Sequence, residues 1–506
     1  MNKIISVVTI VLVSISINAQ EISSSQKTKR QNEVKVQFRH FHDDLIINDL
    51  SNTFIGGVTD FKTWGTTLGK INIVKGEEVI VKKFDPLFLT SKGDKYARGL
   101  IFKDDRFGIL NTAIKSGRIS IVMQDFDYKL NKAGSQREIL ETNLTIDEKT
   151  LGFGRNISTQ NTHIHHDKKT NSVFLELEVK NSEKRSFLTL MVLNEEYEEI
   201  SRITIPAQDH KKGVQLVTHK VLENGEAFAI VEETDGYGDI HAYNFIHFAN
   251  DGSNNHVIKE ILPAKKSIIN SQISENSFDD NVIISILSSG TLKDKERDSG
   301  ALTAYKYNLK TGDMDYITYA LNKNQVLTGN DNNLQNLRDM KTEFLPDGSV
   351  LFYMFGAYKS VALYHDRSII VIKVDKNGEF QWLNTIGRNS KSVVKNNTVG
   401  YLTYLNGEGD LEVIFNTSKS ALKGDSYSPN LDGNPDYLNL GGTVKPAKAK
   451  INLETGEMEI KAINFASNIN SFSFPSAREM EEVGVYKIMH SKGKDTYIST
   501  VDFKDQ

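Results

Sequence analysis

A short hairpin signal recurs along this chain at intervals of roughly 60 residues, seven times between Lys75 and Gly456. Its clearest copies are Tyr307-Asn-Leu-Lys-Thr-Gly-Asp-Met314, Val374-Asp-Lys-Asn-Gly-Glu-Phe-Gln-Trp382 and Ile451-Asn-Leu-Glu-Thr-Gly-Glu-Met458. In each, a polar turn with a glycine separates two runs of alternating apolar residues, the pattern of two antiparallel strands. The remaining copies lie at Lys75-Gly76, Ala133-Gly134, Glu195-Glu196 and Asp251-Gly252, of which the third has no glycine. A repeated unit buries its apolar face only against its own copies, so the chain must build an array or a ring.

The segments between the turns are strands by composition and by period. Val173–Val179, Phe187–Val192, Val282–Ile286 and Ile369–Val374 are rich in Val, Ile, Leu and Phe and alternate with a period close to two. No window of about a dozen residues carries a sustained helical stripe. A unit of roughly 60 residues holds four strands of five or six residues with their connections. Four-stranded sheets repeated radially make a β-propeller, whereas the coils of a β-solenoid are much shorter. The expected fold is therefore an all-β propeller of seven blades, six to eight being compatible with the spacing. The final strands, Gly484–Met489 and Asp495–Val501, carry no marker. They are expected to close the ring by pairing with N-terminal strands, specifically the Lys70–Phe84 hairpin, which would remove an open sheet edge.

The Tyr307, Val374 and Ile451 hairpins resemble the final strand pair of blades in propellers related to the pyrroloquinoline-quinone repeat family. There a strand ends in Asp, a Thr-Gly or Asn-Gly turn follows, and a tryptophan comes next. Only the middle copy has both Asp375 and Trp382; the other two carry Asn308 and Asn452 and lack the tryptophan. Each match spans about a dozen residues of the 506. What the resemblance implies is architecture; it says nothing of a quinone, and no cofactor is expected.

The first 19 residues read as a signal peptide: Lys3 is the basic n-region, Ile4–Ile17 the apolar h-region, and Ala19 precedes the cleavage point. The apolar run is 14 residues long, short of the ~20 that span a bilayer. Residues 20–33 are polar and aperiodic and are expected to form a flexible leader, with a single propeller domain over 34–506. These features predict an exported protein, periplasmic or extracellular. The chain has no cysteine, so no disulfide supports the core and no thiol is available for catalysis or lipidation. Removing Lys3 leaves 60 basic against 65 acidic residues, a net charge of −5. With no basic stripe, nucleic acid is not an expected partner.

Several clusters invite chemistry, and each also has a structural explanation. His163 and His165 lie two apart, which on a strand places both on one face, with Asp167 close by. His40 and His42 repeat the spacing before Asp43 and Asp44. Both pairs are also compatible with surface or inter-blade positions, and no metal is expected from them. Asn430, Asp432, Asn434 and Asp436 alternate around Gly433 in an oxygen-rich run beginning at Asp425. Calcium favours such ligands, although the glutamate that closes an EF-hand is missing and a turn-rich loop accounts for the same residues. Glu232, Glu233, Asp235 and Asp239 form an acidic stretch that could serve glycoside cleavage or simply be solvated. Trp64 and Trp382 could stack on sugars or pack in the core.

No nucleophile elbow, zinc-protease helix or phosphate loop is present. The sequence thus predicts a non-catalytic binding or scaffolding propeller for a protein or glycan of the cell envelope or extracellular matrix. A propeller hydrolase or lyase acting on polysaccharide, and a structural part of an envelope, adhesion or secretion complex, are the alternatives. Carboxylates and a basic residue converging at the axis would favour the enzyme.

Overall fold

The computed structural model describes residues 31–36, 45–48, 53–59, 69–75, 78–84, 99–102, 106–115, 118–127, 131–145, 162–166, 172–180, 186–194, 198–206, 213–222, 224–234, 240–250, 256–262, 266–291, 299–322, 334–360, 363–392, 400–423, 426–429, 436–437, 444–463, 469, 471–480, 482–492 and 495–504. Among these the one helical element is a short 3-10 turn, Leu334–Asn336, so the expectation of an all-β chain holds.

Strand β1 (Gln31–Val36) precedes the first blade. Blade 1 is β2 (Leu45–Asn48), β3 (Thr53–Thr59), β4 (Gly69–Lys75) and β5 (Glu78–Phe84). Blade 2 is β6 (Gly99–Phe102), β7 (Arg106–Lys115), β8 (Arg118–Asp127) and β9 (Arg137–Thr145). Blade 3 is β10 (Thr162–His166), β11 (Val173–Lys180), β12 (Ser186–Leu193) and β13 (Glu199–Pro206). Blade 4 is β14 (Gly213–Val221), β15 (Ala227–Thr234), β16 (Ile240–Phe248) and β17 (His256–Leu262). Blade 5 is β18 (Lys266–Glu275), β19 (Asn281–Thr291), β20 (Ser299–Asn308) and β21 (Met314–Asn322). Blade 6 is β22 (Leu337–Phe344), β23 (Val350–Ser360), β24 (Leu363–Val374) and β25 (Phe380–Ile386), followed by β26 (Ser390–Ser392).

Blade 7 opens with β27 (Tyr401–Leu405) and β28 (Asp410–Ser418). An insertion with β29 (Leu422–Lys423), β30 (Ser426–Tyr427) and β31 (Asp436–Tyr437) intervenes before β32 (Val444–Asn452) and β33 (Met458–Ala462). Strands β26 and β31 extend the blade 6 sheet to six strands. Blade 8 is β34 (Ser471–Glu479), β35 (Val485–Lys492), β36 (Asp495–Asp502) and, on its outer edge, β1.

Seven sheets therefore have four antiparallel strands, and the blade 6 sheet contains the same meander within its six. The total of eight exceeds the expected seven and lies inside the six-to-eight range. The reason is visible in the topology. All seven hairpin markers join the third strand of a blade to its fourth, which is also where the quinone-repeat resemblance placed three of them. In blade 8 those two strands are β36 and β1, the two ends of the chain, so no turn can mark it.

The pairing of terminal strands was expected, but with a different partner. Strand β36 pairs with β1, Val34 opposite Ile498 and Val36 opposite Thr496, and not with the Lys70–Phe84 hairpin. Strands β4 and β5 pair within blade 1, β4 between β3 and β5, which leaves the outer edge of β36 for β1. The strand also begins at Gln31, inside the span expected to be leader, with a bulge between Gln31 and Val34 that blurs its period. First strands of neighbouring blades adjoin, as β6 with β10, β14 with β18, β18 with β22 and β34 with β2, so they are the innermost strands.

Among the described residues the core lies between blades, where middle strands are covered on both faces. In β19, Val282, Ile284 and Ile286 pack toward blade 4, whereas Ile283 and Leu287 pack toward blade 6. Strand β23 repeats the alternation, with Phe352 and Met354 toward blade 5 and Tyr353 and Phe355 toward blade 7. This two-sided burial explains the near-continuous apolar runs; every residue of β28 is buried.

The marker turns of blades 5 and 7 dock on the preceding blade. In blades 5 and 7, Asn308 and Asn452 accept bonds at Oδ1 from the amides of Lys310 and Thr311, and of Glu454 and Thr455. Asp375 does the same for Asn377 and Glu379 in blade 6, so Asn and Asp are interchangeable as turn caps. The blade 7 turn then receives three donors from blade 6: Lys373 Nζ and Trp382 Nε1 reach Leu453 O at 3.0 and 3.3 Å, and Asn384 Nδ2 reaches Gly456 O at 2.7 Å. In blade 4, Lys259 Nζ likewise donates to Gly312 O of the blade 5 turn.

Candidate functional site

Three neighbouring innermost strands are irregular. Bulges interrupt β14 between Leu216 and Thr218, β18 between Ile268 and Asn270, and β22 between Arg338 and Lys341. In β22 the extra residue brings Asp339 to φ 46°, the one positive value at a non-glycine among the described residues. Such a conformation costs of order 1–3 kcal/mol and persists only where its surroundings enforce it.

The bulge changes which side chains face where. Leu337 packs into the core between blades 5 and 6, and so do Met340 and Phe344, although the spacing from Leu337 to Met340 is odd. Without the inserted residue, Lys341 and Glu343 would keep the parity of Leu337 and point into that apolar core. With it they turn to the opposite face, where Lys341 Nζ lies 5.9 Å from the centroid of the Tyr401 ring. Arg338 and Asp339 are both exposed. Tyr401, at the start of β27, donates its hydroxyl to Asp339 O at 2.6 Å and so ties the bulge to blade 7.

Blade 8 adds Glu479, from the end of β34, whose Oε1 is 3.2 Å from the Tyr486 hydroxyl. Blade 5 contributes Ser277, whose amide and hydroxyl donate to Glu343 at 3.2 and 3.0 Å. Burial pushes the Lys341 ammonium below its ordinary value, against the pull of Glu479, Asp339 and Glu343. Burial likewise raises the carboxyl of Glu343, opposed by the Ser277 donors, the Tyr353 hydroxyl and Lys341. Asp339 is raised by the protein around it, opposed by Lys341 and Arg338. The hydroxyls of Tyr353 and Tyr401 are held well above their usual range by burial, and after it by Glu343 and Asp339 respectively.

Three blades and one turn of a fourth thus bring three carboxylates, one lysine and a set of tyrosine hydroxyls together beside the axis. Carboxylates, an ammonium and hydroxyls gathered in this way give the cluster both donors and acceptors for a hydroxyl-rich ligand.

No protein-family model matches the chain, and no curated protein matches it. Solved structures similar to it include the polysaccharide lyase Uly1, at 8% identity and a TM-score of 0.38, covering 94% of this chain and 98% of that one. An ulvan lyase from a further family of polysaccharide lyases has 8% identity and a TM-score of 0.36, covering 87% and 96% of the two chains. The β-propeller domain of the trilobed protease from Pyrococcus furiosus has 9% identity and a TM-score of 0.32, covering 87% and 98%. The propeller assignment stands on this chain's own strand order.

Among the described residues, no cluster singled out in the sequence contributes a side chain to the axial site. His163 and His165 fall on β10, an innermost strand, opposite Glu176 and Phe174. His40, His42, Asp43, Asp44, Asp167, Asp235, Asp239, Trp64 and the run from Asn430 to Asn434 lie outside the described residues, as does Asp425. Asp436 pairs with Ser390 in parallel, within the insertion that extends blade 6. Among the described residues no three acidic or histidine side chains are placed to hold a metal. Glu232 and Glu233 are neighbours in β15 and diverge, accepting from Gln215 Nε2 at 2.9 Å and Asn244 Nδ2 at 2.8 Å. Trp382 is half-buried between blades 6 and 7, where it packs against the core cluster and against Gly456.

Proposed function

We propose that this chain is an exported propeller that binds a glycan at its axis, with the cluster around Lys341 as the contact site. One observation carries the reading: the strained bulge at Asp339 spends stability to turn Lys341 and Glu343 out of an apolar core and toward Tyr401. Strain of this kind, enforced by a specific bond to Asp339 O, points to a function at the place where it is stored. Carboxylates, an ammonium and hydroxyls together match the alternating donors and acceptors of a sugar chain. The apolar segment after Lys3 supports export, and the mild net charge agrees with an uncharged or weakly charged ligand.

A second reading, cleavage of that glycan, is favoured by a specific feature of the same cluster. Glu343 and Lys341 project from the same face of β22, and burial raises the carboxyl of the first and lowers the ammonium of the second, the directions that acid and base catalysis would need. The experiment is a panel of neutral and acidic polysaccharides, read by calorimetry for binding and by reducing ends and ultraviolet absorbance of unsaturated products for cleavage. Lys341→Met should abolish binding while leaving the circular dichroism melt in place. Product formation that Lys341→Met abolishes selects the catalytic reading. Binding that survives Lys341→Met, or no binding across the panel, overturns the proposal.

A further inference from the structure

Arg388 is 2% exposed, a cation set in the core between blades 6 and 7. Its guanidinium lies 5.8 Å from the ring centroids of both Phe355 and Phe415, one from each blade. Nε donates to Arg367 O at 3.2 Å, and Nη1 donates to Gly400 O at 3.1 Å. A charge is costly to bury and persists in a core only where acceptors such as these hold it. An apolar residue of similar volume would fill the same space without that cost, so packing alone does not account for an arginine here.

The bond to Gly400 does account for it. Gly400 has φ +119°, and a Cβ there would stand 3.2 Å from Phe474 Cβ of blade 8. The chain therefore enters β27 through a conformation and a gap that suit glycine. The next residue is Tyr401, whose ring meets Phe355 edge-on with centroids 5.7 Å apart. Arg388 thus reaches Tyr401 by two routes, through the backbone at Gly400 and through the Phe355 ring. The guanidinium also acts on the Tyr401 hydroxyl, which burial and Asp339 raise and Arg388 lowers. Tyr401 in turn donates to Asp339 O and lies under Lys341 Nζ.

We propose that Arg388 is a positioning residue of the axial site: it fixes Gly400, aims Tyr401 at the bulge in β22, and so sets where Lys341 stands. Its part in ligand binding rests on the axial cluster being the glycan contact; its hold on the bulge does not. The planar fork is what the role requires. A lysine keeps the charge but presents a compact ammonium, which cannot lie flat between two rings and donate outward to two carbonyls.

Hydrogen exchange of the whole protein without ligand, read by mass spectrometry, tests the hold on the bulge. Arg388→Lys and Tyr401→Phe should each speed exchange across Leu337–Phe344 by about tenfold, since each removes a buried hydrogen bond. Together they should exceed either alone by little, because they act in series. Strand β28 is the control: it carries Phe415 against the same guanidinium but does not touch the bulge, so its exchange should change less. Arg388→Met, which fills the space between the rings without charge, takes over where Arg388→Lys does not fold. Laminarin and alginate, a neutral and an acidic polysaccharide, are then titrated by calorimetry. Whichever the wild type binds, Arg388→Lys should bind about tenfold more weakly. No wild-type binding, with exchange responding as expected, counts against a glycan at the axis and still supports the positioning role. Equal acceleration in β28 and β22, strict additivity of the two variants, unchanged glycan binding in folded Arg388→Lys, or loss of the fold in both Arg388 variants overturns the proposal.

Discussion

Gly456→Ala tests whether the marker turns hold neighbouring blades together. Gly456 has φ +74°, and a Cβ there would stand 2.7 Å from Trp382 Cγ and 2.9 Å from Trp382 Cδ2. Two costs follow: about 1–2 kcal/mol for a left-handed alanine, and about 1–3 kcal/mol for forcing the indole off its seat. Gly409 provides the control. Its φ is +84°, and a Cβ would meet nothing within 4 Å, so Gly409→Ala carries the first cost alone. Urea unfolding followed by far-ultraviolet circular dichroism should therefore show Gly409→Ala destabilised by about 1 kcal/mol and Gly456→Ala by about 2–4 kcal/mol, with little change in slope.

The cycle with Trp382→Ala sharpens the test. That change alone removes the Nε1 bond to Leu453 O and half-buried packing, at about 2–3 kcal/mol. In its background the indole no longer obstructs, so Gly456→Ala should fall to the cost measured at Gly409. Contacting residues couple by about 0.5–3 kcal/mol, whereas distant ones add. Equal costs for the two glycines, or a cycle that is strictly additive, would show that the turn does not dock on blade 6 as described.

Two further outcomes are expected. A chain beginning after Val36 lacks β1 and leaves the edge of β36 unpaired, so it should aggregate in light scattering, whereas a chain beginning at Gln31 should stay monodisperse; identical behaviour would show that β1 is dispensable. Burial raises the Glu343 carboxyl above its ordinary 4.5, so the folded protein binds that proton more tightly than the unfolded chain. The associated stability is present in full below the unfolded pKa of 4.5 and is lost as pH rises through the folded value. Glu343→Gln cannot ionise, so the stability of wild type relative to this variant should fall across that window; a constant difference refutes it.

How much of this was legible depended on how local each feature is. The marker turns could be read because a capping Asn or Asp and a glycine of positive φ, as at Asn308 and Gly312, occupy five consecutive residues. What they count is the bond from third to fourth strand, and a propeller that joins its ends in one blade has one fewer of these than it has blades. The same logic explains the misplaced closing partner: the alternation from Val34 marks a strand, but nothing local says which distant edge it pairs with, and the bulge after Gln31 hides its first residues in the polar leader.

The axial cluster is different in kind. Lys341, Tyr401 and Glu479 come from three blades, and no spacing in the chain links them. One local sign was nevertheless present. In Leu337-Arg-Asp-Met-Lys-Thr-Glu-Phe344 the apolar residues fall at an odd position and then at even ones, a break of parity that a regular strand cannot accommodate. A bulge is the simplest device that restores both halves to one core, and it sends the intervening charges elsewhere. In a fold whose core lies between blades, charges displaced from an innermost strand have the axis beside them, so the parity break also indicates where a ligand would meet them.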